Sequence, residues 1–63
     1  MDTITVTLPD GAAQQVPRGT TPAEIARKIS NGLAREALVA RADGELVDLA
    51  RPLEHDTSLK ILT

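Results

Sequence analysis

Apolar and polar residues alternate without a break from Thr3 to Leu8, with Ile4, Val6 and Leu8 on one face and Thr3, Thr5 and Thr7 on the other. A two-residue period is that of a strand buried on one side. Pro9-Asp10-Gly11 follows: a proline that presets φ, an aspartate able to bond its own backbone, and a glycine free to take positive φ. The chain is therefore expected to return as a second strand from Ala12 to Val16. Pro17 to Thr20 interrupts it, and Thr21-Pro22-Ala23-Glu24 then carries the pattern of a capping box, with threonine at the N-cap, proline at the first helical position and glutamate three residues after the cap. From Pro22 the period changes to that of a helix. Ile25, Ala26 and Ile29 share one face, and Glu24 and Lys28 stand four apart, the spacing of an ion pair on the helix surface. Ser30-Asn31-Gly32 is expected to end the helix, with Gly32 as its left-handed terminal residue.

Beyond that stop, Leu33 can fold back onto the apolar face at Ile29, and Ala34 to Ala37 is expected to make a further short turn. Leu38 to Ala42 and Glu45 to Leu49 have the composition of two short strands around Asp43-Gly44, a hairpin dipeptide. Pro52 and the Glu54-His55-Asp56 cluster break the pattern, and Ser58 to Leu62 supplies a closing strand with Leu59 and Ile61 facing one way and Lys60 the other. Two strands, a helix and three more strands make an α+β, ubiquitin-like β-grasp arrangement. It is a mixed sheet of four to five strands with one main helix across one face. Because the first and last strands are apolar on one side only, that side is expected under the helix and the other in water.

With 63 residues, residues 1–63 form a single domain, and such a domain buries only about 60% of its unfolded-chain surface. Its core must come from aliphatic side chains: Ile4, Val6, Leu8, Val16, Ile25, Ile29, Leu33, Leu38, Val39, Leu46, Val47, Leu49, Leu53, Leu59, Ile61 and Leu62. The absence of cysteine excludes disulfides, thiolate nucleophiles and cysteine-bound zinc. No stretch reaches the roughly 18 apolar residues of a membrane span, and Met1-Asp2-Thr3 does not begin a secretory signal. A monomeric, cytoplasmic domain with no membrane partner is the expectation. A net charge of -2 and the absence of Phe, Trp and Tyr oppose strong independent RNA binding, which draws on a basic surface and on stacking.

Three features could carry chemistry. Glu54-His55-Asp56 places an imidazole between two carboxylates, but adjacent residues on a loop rarely converge and one histidine leaves a metal short of ligands. The helix start at Thr20-Thr21 presents free backbone donors to an anion, although Glu24 competes for that positive end and no Gly-Lys-Ser/Thr phosphate loop is present. Finally, Arg18, Arg27, Lys28, Arg35, Arg41, Arg51 and Lys60 are scattered among acids. Of these, Arg27, Lys28 and Arg35 surround the helix and its exit, and they are the candidates for a weak contact with RNA phosphates.

Several segments together resemble one family. Leu8-Pro9-Asp10-Gly11, the helix start at Thr21 to Ala26, Ile29-Ser30-Asn31-Gly32-Leu33-Ala34, Asp43 to Leu49 and Arg51 to Asp56 resemble, in order and over the full length, the TGS domain at the start of bacterial threonyl-tRNA synthetases. That resemblance implies a fragment of a larger chain: a non-catalytic module whose partners are the editing and catalytic domains of its parent, with tRNA touched weakly and in cis. It also implies that ATP and zinc are used by other domains, so that no cofactor, metal or catalytic residue is expected here. TGS modules of GTPases and stringent-response nucleotide synthetases are the alternative. A β-grasp sulfur carrier fits less well, since it needs a C-terminal Gly-Gly where this sequence has Leu62-Thr63.

Overall fold

The computed structural model describes residues 2–63. Strand β1 (Thr3–Thr7) turns into β2 (Ala13–Pro17), with Ile4 opposite Val16 and Thr7 opposite Ala13. The turn is built as its residues require. The Gly11 N–H donates to the Leu8 carbonyl at 2.9 Å, the Ala12 N–H donates to Asp10 Oδ1 at 3.0 Å, and Gly11 takes φ 91°.

Helix α1 (Pro22–Ile29) opens on the expected capping box: Thr21 Oγ1 accepts from the Glu24 N–H, and Glu24 Oε1 accepts from the Thr21 N–H, both at 3.3 Å. The Glu24 carboxylate is thereby turned toward the helix start, and among the described residues it makes no ion pair with Lys28. The helix stop differs from the sequence expectation. Ser30 takes an extended conformation (φ -167°, ψ 150°), ends α1, and at once caps a second helix, α2 (Asn31–Glu36), by accepting from the Leu33 N–H at 2.9 Å. Gly32 is therefore the second residue of α2, and not the left-handed stop. The helical conformation is broken at Ser30, and the positive-φ glycines are Gly11, Gly19 and Gly44. Of the extra turn expected at Ala34 to Ala37, the residues up to Glu36 belong to this helix and Ala37 is its C-cap.

Strands β3 (Val39–Ala42) and β4 (Glu45–Val47) form the expected hairpin, with φ 51° at Asp43 and 84° at Gly44, the two positive values of a tight two-residue turn. Strand β5 (Thr57–Leu62) runs between β1 and β3, giving the sheet order β2-β1-β5-β3-β4. Only the β1–β5 pairing is parallel, with Val6 beside Thr57 and Thr7 beside Ser58. This is the β-grasp arrangement of the α+β class. Each expected strand holds to within two residues at its ends.

Ile4, Val6, Val16, Ile25, Ala40, Val47, Leu53 and Leu59 form the core. Leu53 enters it from the long β4–β5 connection, where its N–H and carbonyl pair with Thr20 and Gly19. The two buried hydroxyls, Thr20 and Thr57, donate to the carbonyls of Pro17 and His55, so neither costs a lost hydrogen bond. Four residues expected inside lie outside: Ile29 is 42% exposed, Leu38 72%, Val39 37% and Leu46 59%. Ile29 falls on the last turn of a short helix, and α2, which buries no residue, does not cover it. Leu33 is half-buried and lies outside the core. Val39 and Leu46 occupy strand positions that alternation turns away from α1.

Candidate functional site

The expected basic trio sits at two helix ends. Arg27 and Lys28 lie in the last turn of α1 and Arg35 in the last turn of α2, all three exposed. Cations at these positions complement the partial negative charge of a helix C-terminus. Arg27 and Lys28 are neighbours, whereas Arg35 belongs to a separate helix, and none of the three lines either of the surface depressions described next.

The first depression is a cleft of about 340 Å³ between the β3–β4 hairpin and the loop before β5, walled by Asp43, Glu45, Arg51, Glu54 and His55 among others. Here the Glu54-His55-Asp56 cluster is divided. Glu54 and His55 border the cleft, while Asp56 turns to β1 and accepts from the Thr5 N–H at 2.8 Å, a tie across 51 residues. His55 Nδ1 lies 3.0 Å from the backbone carbonyl of Asp56, and so bonds locally with main chain and not with either flanking carboxylate. Glu45 faces Arg51 at 3.7 Å, and Glu54 lies 3.9 Å from Arg18, which also holds Asp2 at 3.0 Å. Among the described residues no three His, Asp or Glu side chains are grouped to hold a metal ion. Three carboxylates against one guanidinium make this cleft unfavourable for an anion.

The second depression, about 270 Å³, opens at the end of β1 between Thr7, Leu8, Pro9, Arg41, Gly44, Ser58, Leu59 and Lys60. Register puts its polar members on one face. Thr7 pairs with Ser58, Lys60 follows Ser58 by two residues on the same strand, and Arg41 stands directly opposite Lys60. Sequence reasoning did not single out this grouping. Its one signal was that Arg41 and Lys60 each occupy the polar phase of a strand, and nothing local indicates that those two strands are neighbours.

The TGS domain family matches residues 4–63. A threonine-tRNA ligase of Sphingopyxis alaskensis is 63% identical over 62 residues, which is 98% of this chain and 9% of that protein. The corresponding ligase of Myxococcus xanthus is 54% identical over 63 residues, 98% of this chain and 10% of the relative. The chain thus spans about a tenth of the length of these relatives. A solved GTP binding protein from Pyrococcus horikoshii OT3 superposes with a TM-score of 0.81 over 97% of this chain and 21% of its own; at 20% identity that likeness shows the fold alone. The match over residues 4–63 and the β-grasp topology agree: this chain belongs to the TGS domain family.

Proposed function

We propose that the chain is the N-terminal TGS module of a threonine-tRNA ligase, an accessory domain that supports the placement of tRNA and of the neighbouring editing domain in cis and performs no chemistry itself. One observation carries this reading: 63% identity across 98% of the chain to a ligase of which that segment is only 9%. The arrangement of side chains supports it. The single imidazole is engaged with main chain, and the wider cleft is ringed by carboxylates.

The groups available to RNA are exposed cations that form no ion pair among the described residues: Arg27, Lys28 and Arg35 on the helices, Arg41 and Lys60 on the sheet. An acidic domain with scattered cations binds RNA weakly in isolation, but a neighbour that already grips the tRNA raises its local concentration to about millimolar, where weak contacts fill. ATP and zinc act through other domains in this reading.

The test compares the full-length ligase with a version lacking residues 1–63. Threonine activation, read by pyrophosphate exchange, is expected to be unchanged, while KM for tRNA rises about two- to tenfold, the scale of one or two screened phosphate contacts. Loss of activation would place the domain in the catalytic step and overturn the accessory role.

A further inference from the structure

The like-charged pair at the centre of the exposed sheet face is unexplained by folding. Arg41 and Lys60 stand directly opposite on β3 and β5, and side chains so placed have Cβ atoms about 5 Å apart, where equal charges oppose each other. No acid relieves them: among the described residues neither makes an ion pair. Asp43, the acid closest to Arg41 in sequence, borders the other depression and commits Oδ1 to the Ser58 N–H at 2.9 Å. Two cations held together without a counter-ion are suited to an anion from outside the domain.

The surrounding groups narrow the choice. Thr7 and Ser58 each bring a hydroxyl that can donate to an oxygen, and Gly44 adds no side chain to obstruct approach. Two cations and two hydroxyls around a shallow groove form a set of donors suited to phosphate. At about 270 Å³ the groove lies just below the roughly 300 Å³ where enclosed small-molecule pockets begin, room for a phosphate with its sugar and not for a whole cofactor. With no aromatic residue in the chain, the Arg41 guanidinium is the one plane in the groove that a base could stack on, so recognition rests on the backbone and carries little sequence preference.

We infer that the groove formed by Thr7, Arg41, Ser58 and Lys60 is the RNA-facing site of this domain and holds a phosphodiester of the tRNA backbone, in preference to the helix-end cations Arg27, Lys28 and Arg35. This rests on the accessory RNA-contact reading and assigns it a surface.

The experiment measures tRNA binding to the full-length ligase as a function of salt for three variants: Arg41→Gln/Lys60→Gln, Arg27→Gln/Lys28→Gln/Arg35→Gln, and Ser58→Ala. The groove pair is expected to raise Kd about three- to tenfold and to lower the salt slope by about 1 to 2. Ser58→Ala, with no change in charge, raises Kd about two- to fivefold, and the helix trio leaves it unchanged. Melting temperature should hold or rise in the groove pair, since the substitution removes an opposed like charge.

A loss confined to the helix trio would overturn the groove while sparing the accessory reading. No loss in either set would overturn the groove and the helix trio as RNA contacts and leave placement of the editing domain, which the truncation tests separately, and equal losses with equal slopes would mean a diffuse field and no site. Inorganic phosphate is expected to compete with tRNA better than chloride at matched ionic strength in the parent and to lose that advantage in the groove pair. Phosphate or poly-glutamate that binds the groove, as read by loss of its binding in the groove pair, while tRNA affinity is the same in parent and groove pair would assign the groove to a free phosphate or to protein carboxylates and overturn the RNA assignment.

Discussion

The two depressions share a wall, the β3–β4 hairpin, yet carry opposite charge. Asp43 and Glu45 face the cleft, while Arg41 and Gly44 face the groove. Strand alternation explains the separation between Arg41 and Ala42: neighbouring residues point to opposite sides of a sheet, so two adjacent positions can serve two different surfaces. Acids in the cleft find partners within the domain, Arg51 for Glu45 and Arg18 for Glu54. Arg41 and Lys60 in the groove find none among the described residues. A sequence of net charge -2 thus hides a polarised surface: the cleft has an excess of carboxylates, two of them paired within the domain, and the groove has cations that are not.

Leu59 is the residue on which that comparison can be broken most sharply. It lines the groove and is also buried in the core, at 2% exposure. Leu59→Ala is expected to cost about 2 to 5 kcal/mol, from lost transfer energy and the cavity left behind. In so small a domain that approaches the whole stability. Urea unfolding should show the loss; a variant as stable as the parent would detach the groove from the core.

Two glycines give the next effect. Gly44 sits at φ 84° with nothing within 4 Å of an added Cβ, so Gly44→Ala meets no clash and costs only the left-handed backbone, about 1 to 2 kcal/mol. Gly32 lies within α2, where the nearest atom to a new Cβ is Ser30 Oγ at 3.9 Å. Gly32→Ala should therefore stabilise by about 0.5 to 1 kcal/mol. Thermal melts moving in opposite directions are the expected result. Destabilisation by Gly32→Ala would restore that residue as the helix stop.

These glycines also mark how far the sequence could be read. The alternation of Thr3 to Leu8, the turn at Gly11, the capping box at Thr21 and the Asp43-Gly44 hairpin are local, and each appeared where its chemistry placed it. The helix stop was misplaced because Ser30 can satisfy both the end of one helix and the start of the next, an option that glycine at position 32 obscured. Leu38, Val39 and Leu46 are apolar yet exposed, since strand phase and chain geometry, and not side-chain type, decided their side. The groove was illegible for a stronger reason. It depends on Thr7 meeting Ser58 and on Arg41 meeting Lys60, contacts between distant segments that no local pattern encodes.

A subtler test separates position from net charge. Glu45→Gln removes an acid from the cleft along with the 3.7 Å pair to Arg51, both partners being well exposed. Exposed pairs contribute about 0 to 1 kcal/mol, so stability should shift by less than about 0.5 kcal/mol. If the proposed function holds, the affinity of the full-length protein for tRNA is expected to change by less than about twofold, even though the domain becomes one unit less acidic. A gain of half or more of the loss from Arg41→Gln/Lys60→Gln, on a logarithmic scale, would show that total charge governs the contact, and the distinction between the two depressions would collapse.

The smallest effect is expected at the residue that attracts attention first. His55 is the chain's one histidine, flanked by Glu54 and Asp56, yet it is exposed and its Nδ1 meets only a backbone carbonyl. Asp56, the partner that could have oriented it, is held by the Thr5 N–H on the far strand. Among the described residues the one hydrogen bond of the imidazole is to main chain, and no carboxylate orients it as a general base requires. His55→Ala should accordingly change stability by no more than about 0.5 kcal/mol, as for surface substitutions generally, and, under the proposed function, leave aminoacylation and editing by the full-length protein at parental rates. The neighbouring substitution Asp56→Ala, which removes the tie to β1, should instead lower the melting temperature. If His55→Ala slowed editing while Asp56→Ala did not destabilise, the cleft and not the groove would be the functional side of the domain, and the polarity argued from Arg41 and Lys60 would be reversed.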